Sequence, residues 1–452
     1  MCTTTIFSCW PWKSKRHQEI RTGCFTISKA KTRKHPISPK RKNRTLNKTL
    51  IFVARYYTQM KNFYKKTGFL FLLLCTGIFG YAQIASYKTL SEELQVLQKQ
   101  WVPDKRVAIL TVELKDTLHV PIVLSGETNL PEAKKQIIQF LTDKKVTFID
   151  SLRLLPDAVL GEKTWGLTTL SVSNLRCQPS DASELASQVV MGTPLKILES
   201  INKWYRVQTP EHYIGWMDTS GLKPYTAKEL DSWKKSDRFV FNGITDIVYD
   251  RPRKKGEVVT DLVLGDLFEV VSKKKGFLQL KTPDGRTGYV RKRDCISFND
   301  WTQSQPNIPS ILSVARQMMG SPYLWGGTST KATDCSGFVK MVYYSQGIIL
   351  ARDASQQARY GESIDFNNRT NLQPGDLLFF GTSVKRISHV GIYLGKGNFI
   401  HSSGRVHISS IDPNDPKYNA YRNHVAACRI LNSLNTEGIV RVKDHPWYTV
   451  QP

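Results

Sequence analysis

The chain has 452 residues, of which 40% are hydrophobic, 23% charged and 10% aromatic, a globular composition long enough for several cores. Its net charge of +26 is uneven: +13 falls on residues 1–59, +3 on 60–82 and +10 on the remaining 370. A surplus that thin argues against a nucleic-acid partner, and mild attraction to an anionic cell envelope fits it as well.

Residues 1–59 are basic, rich in Ser, Thr and Lys, and lack periodicity. They read as an over-extended segment ahead of a natural start at Met60, with a disordered basic tail as the alternative. From Met60 to Ala82 the pattern is that of a secretory signal peptide. Lys61, Lys65 and Lys66 precede the apolar run that opens at Phe69, and Gly80-Tyr81-Ala82 supplies small residues for cleavage before Gln83. The run is too short for a stable membrane span. Leu74-Cys75 makes a poor lipoprotein site, because a small residue should precede the Cys. The expected location is therefore outside the cytoplasm, in the periplasm or cell envelope, with no membrane span left after cleavage.

Cys177, Cys295, Cys335 and Cys428 are the cysteines beyond residue 82. They are far apart and form no C-x-x-C pair, so neither a zinc ribbon nor a dense disulfide framework is indicated. Residues 83–165 read as a small α/β module. It has a strand at Arg106–Leu114, a helix at Pro131–Asp143 with Ile137, Ile138, Phe140 and Leu141 as apolar positions, and a strand at Val146–Asp150.

A repeat with an offset of 73 follows. Glu184 aligns with Glu257, Gly192 with Gly265, Thr209-Pro210 with Thr282-Pro283, and Gly215-Trp216 with Gly288-Tyr289. Each copy, 166–225 and 226–300, reads as short strands between Gly, Pro and Asp turns, hence a small β-barrel. Both resemble the bacterial SH3 (SH3b) module through Gly215-Trp216-Met217 and Gly288-Tyr289-Val290. Tyr225–Ser236 is a short helix or linker, and Asn299–Pro309 is a boundary before the last region, 306–432. A tail, 433–452, packs on some domain surface.

The last region holds the chemistry. Cys335 sits between Asp334 and Ser336, both helix-capping residue types, and opens a helical run through Tyr344. At a helix start the macrodipole favours a thiolate. His389 lies in an alternating strand, Gly395-Lys396-Gly397-Asn398 is a turn, and the returning strand brings His401 back to the level of His389. A thiol, an imidazole to take its proton and a second imidazole to orient the first make a cysteine hydrolase. A Cys-His-His zinc site is the alternative, and no short ligand spacing supports it. No metal and no cofactor are expected.

The motifs Gly320–Gly327, Thr333–Phe338, Pro374–Phe380, Ser388–Leu394 and Phe399–His401, in this order, resemble the NlpC/p60 cysteine peptidases of the cell wall. That resemblance implies an α+β chain: a papain-like catalytic domain preceded by two SH3b-type barrels and the N-terminal module. It implies Cys335, His389 and His401 as catalytic, and Tyr323 as an active-site tyrosine that helps the Cys335 N–H hold an oxyanion. Asp376 reads as a turn residue. The domain order further resembles the γ-D-glutamyl-L-diamino-acid endopeptidases of the dipeptidyl-peptidase VI type. By that likeness Glu184 and Tyr213, on the first barrel, and Asp334 meet the free amine of a peptidoglycan-derived peptide, L-Ala-γ-D-Glu-diamino acid. Ser336, Arg352, Asp353 and Ser355 line the cleft. An endopeptidase of intact wall and a non-catalytic wall-binding protein are the competing readings.

Overall fold

The computed structural model describes residues 87–252, 256–420 and 423–450, with isolated positions between 55 and 65. The chain divides into two compact units, 1–77 and 78–452. In the first, the isolated described positions are helical. Apart from them, the leading basic segment and the export signal lie outside the described residues. No helix among the described residues is long and apolar enough to cross a membrane.

The second unit begins with helix α1 (87–101), followed by strands β1 (Leu110–Lys115), β2 (Ile122–Thr128) and β3 (Phe148–Leu154). Helix α2 (Pro131–Asp143) joins β2 to its parallel neighbour β3. Pro131 at the first turn starts α2, and Ala133, Ile137 and Leu141 recur at four-residue spacing on its buried face. They meet Leu90, Leu94, Leu124 and Leu152 in a core of their own. The expected strand at Arg106 begins at Leu110 instead. Upstream, the Asp104 carboxylate accepts the Arg106 backbone N–H at 3.1 Å and bends the chain into a turn.

The first barrel comprises β4 (Trp165–Thr168), β5 (Val172–Arg176), β6 (Leu185–Val190), β7 (Pro194–Ile201), β8 (Trp204–Gln208), β9 (Ile214–Asp218) and β10 (Leu222–Tyr225). Helix α3 (Ala227–Lys234), closed by a capping box of Thr226 and Glu229, leads to the second barrel. There β11 (Arg238–Phe241), β12 (Thr245–Tyr249), β13 (Val258–Val263), β14 (Leu267–Lys274), β15 (Phe277–Lys281), β16 (Thr287–Arg291) and β17 (Cys295–Ser297) follow in the same arrangement. The start of every strand is displaced by 73 from its counterpart, and the sheet orders β6-β5-β9-β8-β7-β4-β10 and β13-β12-β16-β15-β14-β11-β17 coincide. The repeated glycines sit where neighbours press closest. Gly192 has φ +71 and a Cβ there would lie 2.0 Å from the Leu267 carbonyl oxygen, while Gly265, φ +90, faces the Tyr344 ring.

The expected boundary at 299–309 is partly helical. Ser297 caps α4 (Phe298–Gln303), and Asn307 caps α5 (Ile308–Gln317). Helix α6 (Cys335–Tyr344), strand β18 (Ile348–Leu350), the short helix α7 (Ala354–Gln357) and β19 (Glu362–Ser363) come next. They are followed by β20 (Leu377–Ser383), β21 (Arg386–Gly395), β22 (Asn398–Ser403), β23 (Arg405–Ser410), β24 (His424–Arg429) and β25 (Ile439–Arg441). Six of these strands form an antiparallel sheet in the order β19-β24-β20-β21-β22-β23.

Helix α6 lies against β21 and β22 and is buried on nearly every face. Its one partly exposed side chain, Lys340, pairs with Glu211 of the first barrel at 3.0 Å. A single core runs from Phe338 and Val342 through Leu167 and Val190 of the first barrel to Val240 and Leu267 of the second. The tail belongs to this core. Its strand β25 pairs with β18, Tyr448 is buried, and Trp447 stacks edge-on against Trp165.

Candidate active site

Cys335 is the first residue of α6 because Asp334 ends the extended chain there. Asp334 is the N-cap, and its Oδ1 accepts the Gly337 N–H at 2.7 Å. Gly337 is required for the fit, since a Cβ would stand 2.0 Å from the Gly327 carbonyl oxygen. The motif Trp325-Gly326-Gly327 and the start of the helix are therefore one packed unit.

Strand β21 carries His389 beside that start. The Val390 and Ser336 backbone N–H groups point at the Cys335 sulfur. Strands β21 and β22 pair Ile392 with Ile400, so His389 and His401 stand diagonally rather than opposite. Their rings still meet, with His389 Nε2 and His401 Nδ1 sharing a hydrogen bond of 2.7 Å. His401 Nε2 lies 3.0 Å from Ser409 Oγ on β23. Both histidines are buried. The tautomer chain that lets His389 accept the thiol proton has His389 donating from Nε2 to His401 Nδ1 and His401 donating from Nε2 to Ser409. Nδ1 of His389 is then the nitrogen for the thiol proton.

The thiol departs from the sequence-based expectation. Burial, then the neighbouring Asp334 carboxylate, pushes Cys335 up to about 11, against the lowering effect of the Val390 and Ser336 N–H groups and Arg352. The favourable field of the helix start is outweighed by desolvation. The resting side chain is a neutral thiol that loses its proton as it attacks.

Arg352 ties the site together from a fully buried position. It donates to Asp334 Oδ2 at 2.7 Å, to Ser336 Oγ at 3.1 Å and to Ser187 Oγ of the first barrel at 2.8 Å. Asp334 Oδ2 also accepts the Gly326 N–H at 3.0 Å, so protein donors engage both of its oxygens. Glu184 is exposed, and its Oε1 accepts the Trp325 indole N–H at 2.7 Å. Tyr213 is buried and donates its hydroxyl to Asp353 Oδ2 at 3.3 Å. The first barrel therefore meets the catalytic region at both Trp325 and Asp353. Tyr323 is half-buried in the strand-like bridge to Thr333. Cys177, Cys295 and Cys428 are unbridged, as is Cys335.

Residues 320–425 match the model of the NlpC/P60 family. Residues 175–222 match the bacterial dipeptidyl-peptidase SH3 domain, and 245–296 match the bacterial SH3 domain. A gamma-D-glutamyl-L-lysine dipeptidyl-peptidase of Bacillus cereus is 30% identical over 288 residues, which cover 60% of this chain and 83% of that protein. The chain belongs to the NlpC/P60 family.

This NlpC/P60 protein is a cysteine-type peptidase with two SH3b domains ahead of its catalytic domain. A gamma-D-glutamyl-L-lysine dipeptidyl-peptidase of Bacillus subtilis is 27% identical over 231 residues, covering 48% of this chain and 72% of that protein. The crystal structure of an NlpC/P60 family protein from Bacillus cereus shares the fold, with a TM-score of 0.52 and 23% identity, over 59% of this chain and 99% of that one.

The NlpC/P60 site also contains residues that sequence reading missed. Ser409 is eight residues past His401, on a third strand that the hairpin pattern did not reveal. Ser187 and Gln188, on β6, hold Arg352 and the Thr328 N–H. Arg106, from the N-terminal module, donates to Asp353 Oδ2 at 2.7 Å and to Ser355 Oγ at 3.1 Å. No local pattern marks a contact between residues so far apart in the chain.

Proposed function

We propose that this peptidase hydrolyses the bond between γ-D-Glu and the following diamino acid, in peptidoglycan peptides whose N-terminal L-Ala amine is free. The observation that carries the reading is the first barrel's double contact with the cleft, Glu184 on Trp325 and Tyr213 on Asp353. A wall at that end favours short released peptides over cross-linked ones. An ammonium entering it meets a carboxylate and a phenol oxygen. The names of the Bacillus relatives, gamma-D-glutamyl-L-lysine dipeptidyl-peptidases, agree with it.

In the proposed mechanism Cys335 Sγ attacks the γ-carbonyl carbon as His389 Nδ1 takes the thiol proton, while His401 and Ser409 fix the imidazole. The Cys335 backbone N–H has no intrahelical partner at the first turn, and with Tyr323 it faces the developing oxyanion. Collapse of the tetrahedral adduct breaks the C–N bond, and His389 returns the proton to the leaving amine. Water then hydrolyses the thioester with His389 as base, regenerating the thiol. Asp353 and Ser355 line the cleft, and the buried Ser336 and Arg352, expected to line it too, support it from within. Export through the 60–82 signal to the periplasm or cell envelope would place the enzyme with such peptides.

The test is cleavage of L-Ala-γ-D-Glu-diaminopimelate, its lysine analogue, the N-acetylated tripeptide and intact sacculi. Cleavage of the free-amine peptides alone is the expected result, and Cys335→Ala should abolish it without unfolding the protein. Equal cleavage of the acetylated peptide would sink the amine assignment. Binding of sacculi with no cleavage would favour a wall-binding role instead.

A further inference from the structure

The three carboxylates near the amine end of the cleft are not equally available. Asp334 is buried, caps α6 and is paired with Arg352. Glu184 faces a neutral donor, the Trp325 indole, and has no ion-pair partner among the described residues. Asp353 lies between these cases. Its Oδ2 takes the Tyr213 hydroxyl and also the Arg106 guanidinium, and its Oδ1 is 3.8 Å from Arg352. The N-terminal module thus puts a cation on the same oxygen to which the amine-facing tyrosine donates.

Arg106 is held there by its own anchor. Asp104 takes Nε at 2.8 Å and an Nη2 hydrogen bond at 2.7 Å, and Gln356 of α7 donates to the same carboxylate at 3.0 Å. Behind the anchor lies a cavity of about 550 Å³, bounded by Trp101, Asp104, Val107, Gln356, Arg359 and Tyr360. The cavity shares its Asp104 and Gln356 walls with that anchor, so open space adjoins the ion pair.

We propose that Arg106 is a specificity-determining residue: an internal cation that occupies Asp353 until a substrate ammonium displaces it. The inference rests on the reading of this end of the cleft as the amine subsite. It gives a role to the second cation on Asp353, whose other oxygen already lies 3.8 Å from Arg352. It also gives selectivity. A simple amine lacks the energy to displace a guanidinium already in place. A peptide that also binds through its γ-D-Glu and diamino acid has that energy, at the cost of a raised KM.

The test compares kcat and KM of full-length wild type, Arg106→Gln and Arg106→Lys on L-Ala-γ-D-Glu-L-Lys and its N-acetyl form. Gln keeps hydrogen bonding to Asp104 without the charge, and Lys keeps the charge. Arg106→Gln should lower KM for the free-amine peptide by about tenfold, as expected for removing a like charge a few ångströms from the ammonium. Its kcat should hold and the acetylated peptide should stay uncut, and Arg106→Lys should resemble wild type. An unchanged or raised KM in Arg106→Gln, parallel changes with both peptides, or the same fall in Arg106→Lys would overturn the inference and leave the amine subsite standing. A wild type that cuts both peptides alike overturns both. Melting temperatures near wild type establish that the variants are folded, and selective methionine replacement (Arg106→Met) repeats the charge removal should Gln fail to fold.

Discussion

Cys335 shows how position and burial compete at one atom. The helix start, two N–H groups and Arg352 favour the thiolate, whereas enclosure and Asp334 oppose it, and the opposition wins with a value of about 11. The nucleophile therefore depends on His389 at the moment of attack rather than on a resting thiolate. This dependence can be read without substrate. In His389→Ala, alkylation of Cys335 by iodoacetamide should climb steadily with pH into the alkaline range, because burial and Asp334 still hold the thiol protonated. Wild type, with an imidazole to take the proton, should react at lower pH. A plateau below pH 9 in the variant would contradict the assignment of burial as the controlling influence.

At the scale of elements, the start of α6 is fastened by the buried Asp334–Arg352 pair. Arg352 reaches it from the segment after β18, and Ser187 reaches Arg352 from β6. Arg352→Met leaves a buried carboxylate without its cation, which should cost about 3–5 kcal/mol in urea unfolding. Adding Asp334→Asn should recover part of that loss, because Asn still caps the helix and carries no charge. A double variant as unstable as the single one would show that the cation serves Ser187 and Ser336 more than Asp334. Elements of this kind differ in how legible they are. The two barrels could be read at an offset of 73 because both copies keep the same apolar alternation and the same positive-φ turn glycine, Gly192 in one and Gly265 in the other. The Cys335 helix and the His389–His401 hairpin could be read because capping and alternation are local. Ser409, Ser187 and Arg106 could not, because what they do is settled by strands and turns brought together from distant parts of the chain. The strand expected at Arg106 is a turn for the same reason: Asp104 engages both its backbone and its guanidinium.

The whole second unit is joined by contacts that run between modules, and burial holds three of its histidines neutral, two of them at those contacts. Burial lowers His445, which lies against the Pro210 carbonyl and the Trp447 ring, and burial likewise lowers His212, whose ring faces Trp447 from the first barrel. Burial between Phe366 and Phe380 brings His424 down to about 4. All three shifts have the same sign. An unfolded chain binds protons at these histidines near pH 6.5, whereas the folded protein does not, so stability is fully present above that pH and falls as pH drops toward 4. The His424 shift alone amounts to roughly 3 kcal/mol across that interval. The melting temperature should therefore hold between pH 8 and 7 and fall steadily from pH 6.5 to 4. His424→Gln, which removes the titrating group while keeping a donor for the Ala426 carbonyl, should flatten part of that slope whatever its effect at pH 8. Because His212, His445 and Trp447 lie where the first barrel meets the tail, acidification should also expose Trp447 fluorescence before the N-terminal module, with its separate core, loses its helices. A melting temperature constant from pH 7 to 5, or a His424→Gln slope equal to that of wild type, would show that these rings are not held neutral by the fold.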